Sequence, residues 1–175
     1  NRKNRTRLRR TVGYVMQHPE RQLFADTVAE DVAYGPSNLG LDTSEAMERA
    51  MQAMRLLHIE HLRDRSPFDL SGGQQRLVAI AGVIACEPKA LILDEPTRGI
   101  DVGAKYEIYS LIAKLAAEGM AVILISSELP EMMGMADRVI TFCEGRITAE
   151  FTSNEIEQER IVNAAFGFQN AEELS

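Results

Sequence analysis

Tryptophan is absent from this 175-residue chain, and cysteine occurs only twice, as Cys86 and Cys143. Two widely separated cysteines make neither a disulfide framework nor a CxxC metal site, and they fit a reducing, cytosolic setting. Long apolar runs are missing as well. The longest, counting glycine, is the ten residues from Leu77 to Cys86, about half of what a membrane-spanning helix needs. Asn1 to Arg10 is basic, but no apolar stretch follows it, so no signal peptide is expected. Acidic residues are missing from the first ten positions, which hold six of the 19 lysines and arginines. The remainder carries 13 basic and 26 acidic residues, so the overall charge of −7 hides an acidic body. Such a body argues against a nucleic-acid groove as the main business of the chain. The basic start reads either as a phosphate-facing arm or as a solvated edge. With 45% apolar and 26% charged residues, the composition excludes disorder, collagen and coiled coil, and predicts one soluble domain with a sizeable core.

Thr11 to Met16 reads as a short buried strand that ends at Gln17 and is broken by His18-Pro19. Residues 20–40 are mixed, and Tyr34-Gly35-Pro36-Ser37 has loop chemistry. Asp42 lies three before Glu45, which is N-cap spacing. Met47, Ala50, Met51, Met54 and Leu57 follow at helical spacing, predicting an amphipathic helix over 43–58 whose methionines fill a core face. Leu70-Ser71-Gly72-Gly73 feeds a helix from Gln74 to Cys86, and Glu87-Pro88 ends it. Ala90 to Leu93 is an apolar run closing on Asp94-Glu95-Pro96. Ala104 to Glu118 reads as a helix with Gly119 as its stop. Ala121 to Ile125 is wholly apolar, as a parallel strand covered on both faces would be. A short helix over 127–136, a hairpin of 138–143 with 146–151, and a helical tail from Asn154 complete the chain. Strands alternating with helices predict an α/β fold with a mostly parallel sheet. Residues 20–86 form a helical insertion, 1–19 and 87–153 the sheet core, and 154–175 the tail, all within one domain.

Two places carry chemistry. The strand Leu91-Ile92-Leu93 delivers Asp94 and Glu95 to the sheet's C-terminal edge, where α/β proteins bind ligands. Successive strand side chains point opposite ways, so these carboxylates cannot share one job. One suits a hard cation such as Mg²⁺, and the other suits orienting and deprotonating a water. Strands often end in acids, so the pattern alone does not decide function. The second place is Leu70-Ser71-Gly72-Gly73-Gln74. Its glycines let a ligand approach the backbone, and the helix N-terminus that follows offers free N–H groups and the positive end of the dipole to an anion. A glycine-rich helix start that binds nothing is the alternative.

The order LSGGQ, helix, apolar strand, Asp-Glu-Pro resembles the nucleotide-binding subunits of ABC transporters along nearly the whole chain. LSGGQ matches that family's signature, and Leu91 to Glu95 its Walker B strand with the catalytic glutamate. Gln17, 54 residues before Ser71, fits the Q-loop, and Gly99-Ile100-Asp101 fits the D-loop. The resemblance implies a RecA-like P-loop NTPase core with a helical subdomain. It implies that Glu95 polarises the attacking water, while Asp94 and Gln17 contact Mg²⁺ and its waters. Ser71, Gly72, Gly73 and Gln74 would grip the γ-phosphate of ATP held by a second ATPase subunit, and Asp101 would link the two sites. Phosphoryl transfer, being mainly positioning and charge neutralisation, agrees with this assignment. ATP would then be the glue of the dimer, closing the pair on binding and releasing it on hydrolysis.

The chain departs from the family twice. No GxxxxGK[ST] occurs in it, so the chain reads as a fragment without the first part of the domain, and weak ATP binding is expected of it alone. Submicromolar ATP binding by calorimetry would contradict that. Ser127 takes the switch position of the catalytic set, where the family usually has histidine. A serine lacks that side chain's charge and reach, so slow hydrolysis or a degenerate site is expected. His18, His58 and His61 do not substitute by position and read as solvated or satisfied.

Residues 17–36 and 79–83 resemble the ATPases of energy-coupling-factor importers, which take up vitamins and metal ions. From Arg98 onward the chain resembles the second ATPase half of ribose- and galactose-type sugar importers, where serine is common at the switch. An intermediate lineage and a recombined or engineered chain both account for the change. The segment after Gln17 is where the family receives a transmembrane permease subunit. Leu23, Phe24 and Val28 either anchor that partner or pack the subdomain. The resemblance thus places the protein at the cytoplasmic face of the membrane, without nucleic acid. A DNA-repair ATPase would share the motifs but insert long coiled coils before the signature, and no heptads appear there. A non-catalytic half that supplies only the signature in trans is the other rival.

Overall fold

The computed structural model describes residues 2–167, which fall into two compact units, the first closing at Ile125 and the second opening at Ser126. In the first, the order is α1 (Arg2–Thr11), β1 (Val12–Val15), α2 (Val28–Asn38), α3 (Thr43–Leu56), α4 (Gly72–Ile84), β2 (Ala90–Asp94), α5 (Val102–Ala117) and β3 (Ala121–Ile125). The strands form a parallel sheet in the order β1-β2-β3, with Val15 beside Leu93 and Asp94 beside Ile125. The α/β expectation is therefore met.

Strand alternation sorts this sheet into two faces. Gly13, Val15, Leu91 and Leu93 point inward, with α4 against β1 and α5 against β3. Burying each large aliphatic residue there contributes about 1.5–3 kcal/mol. Tyr14, Ile92, Asp94, Ile123 and Ile125 line the other face, and Ile123 and Ile125 are 54% and 48% exposed. Residues 121–125 were expected to be covered on both faces, whereas Ile123 and Ile125 are exposed among the described residues. An all-apolar strand cannot by itself report how many of its faces are covered. Contact with α4 is close, because a Cβ placed on Gly13 would lie 2.4 Å from Val83 Cγ1.

Helices α2, α3 and α4 pack on one another. Asp42 caps α3, its Oδ1 accepting from the Glu45 amide at 2.9 Å, and Ala50, Met54 and Leu57 are buried. The stripe is a core face only in part, because Met47 and Met51 are half-buried. The loop expected at Tyr34-Gly35-Pro36-Ser37 is instead the last part of α2. Thr27 and Glu30 form a reciprocal capping box that starts this helix. Val28, Val32, Ala33 and Pro36 then fall on one buried face, whose packing outweighs the amide that proline lacks. Among the described residues no helix is long and apolar enough to cross a membrane.

The second unit contains α6 (Leu129–Met135), the antiparallel hairpin of β4 (Arg138–Cys143) and β5 (Arg146–Thr152), and α7 (Gln158–Ala165). Glu144 and Gly145 both have positive φ, 49° and 76°, as a two-residue hairpin turn of matching twist requires. Val139 and Phe151 meet Ile161 and Ala164 in a small separate core. The end of the expected tail, 168–175, lies outside the described residues.

Candidate functional site

The tip of α4 is built by its own motif. Ser71 is the N-cap: its Oγ accepts from the Gln74 amide at 3.3 Å, while Gln74 Oε1 accepts from the Ser71 amide at 3.1 Å. Two of the orphan groups of this helix start are thereby satisfied within the motif. Ser71 and Gly72 remain exposed. The amides of Gly72 and Gly73 have no intrahelical acceptor at these positions and stand at the positive end of a 13-residue helix. Nothing lies within 4 Å of a Cβ placed on Gly72. The fold itself does not demand glycine there, whereas close approach of an anion would.

Asp101 caps α5, accepting from the Ala104 amide at 3.0 Å. A Cβ on Gly73 would lie 3.3 Å from Ala104 Cβ and 4.0 Å from Asp101 Oδ2. The two helix tips therefore adjoin at Gly73, with Ser71, Gly72 and Asp101 exposed and Gly73 and Gln74 half-buried.

The second cluster is the C-terminal edge of the sheet. Asp94 lies on the open face, where Tyr14 donates its hydroxyl proton to Asp94 Oδ2 at 2.9 Å. That bond, with the carboxylate's charge, holds the Tyr14 phenol above its ordinary value of 10.0. The Glu95 amide donates to the Ile125 carbonyl at 2.8 Å, and the residue then turns into a left-handed conformation, φ 48°. This is a strained geometry for a residue with a Cβ, and it places Glu95 just beyond the end of the strand. No cluster of three or more His, Cys, Asp or Glu suited to a metal occurs among the described residues. Asp94 fits Mg²⁺ as a single hard-oxygen donor, with water and ligand oxygens supplying the rest.

Gln17 follows β1 by two residues and is half-buried. Its carbonyl and those of Pro96 and Arg98 all accept from the guanidinium of Arg76, so Gln17 and the turn after Glu95 lie within reach of one side chain. Ser127 belongs to the second unit and is exposed. His18, His58 and His61 are exposed as well. Sequence reasoning missed Arg76 and Tyr14. An arginine just ahead of the apolar run Leu77–Ile84 was the available signal for the first, whereas the second depends on the pairing of β1 with β2, which the sequence does not display.

Of the three apolar residues after Gln17, Leu23 and Val28 are interior. They pack the subdomain and are not available as anchors. Phe24 is 55% exposed and meets the 51% exposed Tyr34 edge-to-face, with ring centroids 4.5 Å apart. Asp31 fixes this segment, accepting from the amides of Phe24 and Ala25 at 2.8 and 3.0 Å.

Residues 1–98 match the ABC transporter family model. The chain belongs to the ABC transporter ATP-binding family. A Bifidobacterium longum protein named as an ABC transporter ATP-binding protein is 59% identical over 140 residues, covering 80% of this chain and 18% of that protein. The energy-coupling factor transporter ATP-binding protein EcfA2 of Streptococcus thermophilus is 43% identical over 152 residues, 86% of this chain and 54% of that protein. A match of that length extends well past Thr97, into the half expected to resemble sugar importers. The solved structure of cbiO1 from Clostridium perfringens, part of the ABC transporter complex cbiONQ, superposes with a TM-score of 0.82 at 37% identity, covering 93% of this chain and 65% of that one. The ABC chain described here thus spans about half the length of its EcfA2 relative.

Proposed function

We propose that this chain is part of an ATPase subunit that powers an ABC importer of the energy-coupling-factor class, taking up a vitamin or a metal ion. The observation that carries the reading is the tip of α4, where self-capped Ser71 and Gly72 are exposed and Gly73 sits beside Asp101. An anion-gripping tip at the surface suits a nucleotide bound by a second subunit. Glu95 would orient the attacking water, and Asp94 with Gln17 would hold Mg²⁺ and its waters. When bound, Mg²⁺ neutralises charge on the phosphates. The likeness to EcfA2 and cbiO1 supports the importer class, a permease partner and peripheral attachment to the membrane.

Sedimentation of the full-length protein tests this. Glu95→Gln should form a dimer with MgATP that persists for hours, because the nucleotide is gripped but not cleaved. A variant that stays monomeric at millimolar MgATP sinks the proposal. Ser127 at the switch position favours a second reading, a non-catalytic half that only presents the signature. That reading expects turnover of the assembled transporter to survive Glu95→Gln.

A further inference from the structure

Arg76 is a charged residue inside the first unit, with 6% of its surface exposed. It lies on α4 five positions after the Ser71 cap. A buried guanidinium is costly unless its donors find good acceptors. Here Nη1 donates to the Pro96 carbonyl at 3.1 Å and to the Arg98 carbonyl at 2.7 Å, and Nη2 donates to the Gln17 carbonyl at 3.3 Å. These carbonyls belong to two segments far apart in sequence. One follows β1 and carries Gln17, and the other turns out of β2 just after Glu95.

The structure assigns Arg76 the role of a positioning residue that fastens the helix bearing the signature tip to both segments bearing the water- and metal-handling groups. The planar, rigid fork of a guanidinium suits this work, because it can meet several carbonyls at fixed angles while a lysine ammonium offers one point charge. The side chains of Ser71 and Gln74 are engaged in capping each other and make no such link. A shift of α4 therefore draws Gln17 and the Glu95 turn with it. Presenting the signature to a neighbour and arming the subunit's own edge become one movement. The mechanical consequence rests on the ATPase reading above, whereas the fastening itself rests only on the three bonds.

Two variants of the full-length protein test it, Arg76→Lys and Arg76→Met. Amide hydrogen exchange without nucleotide should quicken about tenfold at residues 16–18 and also at 95–99, the scale expected for losing charge-assisted bonds. Exchange within 78–84 of α4 should stay protected. ATP turnover per folded molecule should fall roughly tenfold in kcat with KM for ATP changed less than about twofold, and Lys should rank between wild type and Met. Loosening of one segment alone, unravelling of α4 along with the loops, or an unchanged kcat in both variants would overturn the assignment. Wild-type protein that fails to hydrolyse ATP would defeat the ATPase reading instead, and the exchange result would still decide the fastening.

Discussion

Tyr14 and Asp94 face each other across neighbouring strands, and their bond exists only while the phenol keeps its proton. The neutral phenol is the favoured form in the fold, so its pKa stands above 10.0. The bond's contribution is complete below pH 10 and is lost as pH rises through the raised value. A difference titration near 295 nm between wild type and Tyr14→Phe should show a phenol ionising above pH 10, and ionisation at or below 10 would refute the bond. Gly72 makes a second case at this scale. Gly72→Ala should leave thermal stability unchanged or slightly raised, since no atom opposes its Cβ and alanine favours helix by about 1 kcal/mol. ATP-driven dimerisation should weaken, and dimerisation at full strength would remove the close-approach argument. The place of Asp94 at the end of its strand was legible, because the apolar run Ala90 to Leu93 marks the strand and its end. The burial of Arg76 was not, since its three acceptors are backbone atoms contributed by distant segments.

Elements announced by a cap and a periodic face were legible to within a few residues. Asp42 with Glu45 marked α3, and the glycine pair ahead of an apolar run marked α4, although the helix starts at Gly72 under a Ser71 cap that sequence alone places in a loop. The apolar runs marked β2 and β3. Helix α2 was hidden because Gly35 and Pro36 carry strong local breaker signals, which burial of Val28, Val32, Ala33 and Pro36 overrides. Gly13 shows the tightest fit between elements. Gly13→Ala would drive a Cβ to 2.4 Å from Val83 and 3.1 Å from Pro88, forcing β1 and α4 apart. The expected loss is about 1–3 kcal/mol, read as a lower urea midpoint with an unchanged slope. A loss under half a kcal/mol would mean the contact yields freely.

For the whole molecule, the fold class and family were readable from motif order, since LSGGQ, helix, strand and Asp-Glu-Pro must occur together to build this edge. The docking surface expected after Gln17 was offered by sequence as three apolar residues, of which packing leaves Phe24 exposed, paired with Tyr34. Phe24→Asp in the full-length protein should abolish co-purification with the permease while ATP-driven dimerisation persists. Undiminished assembly would place the docking surface elsewhere. The sheet has a different consequence. β3 ends the strand order β1-β2-β3, so one row of its amides and carbonyls has no neighbouring strand among the described residues, and Ile123 and Ile125 stand bare next to it. Such a rim can accept one more extended segment through backbone pairing alone.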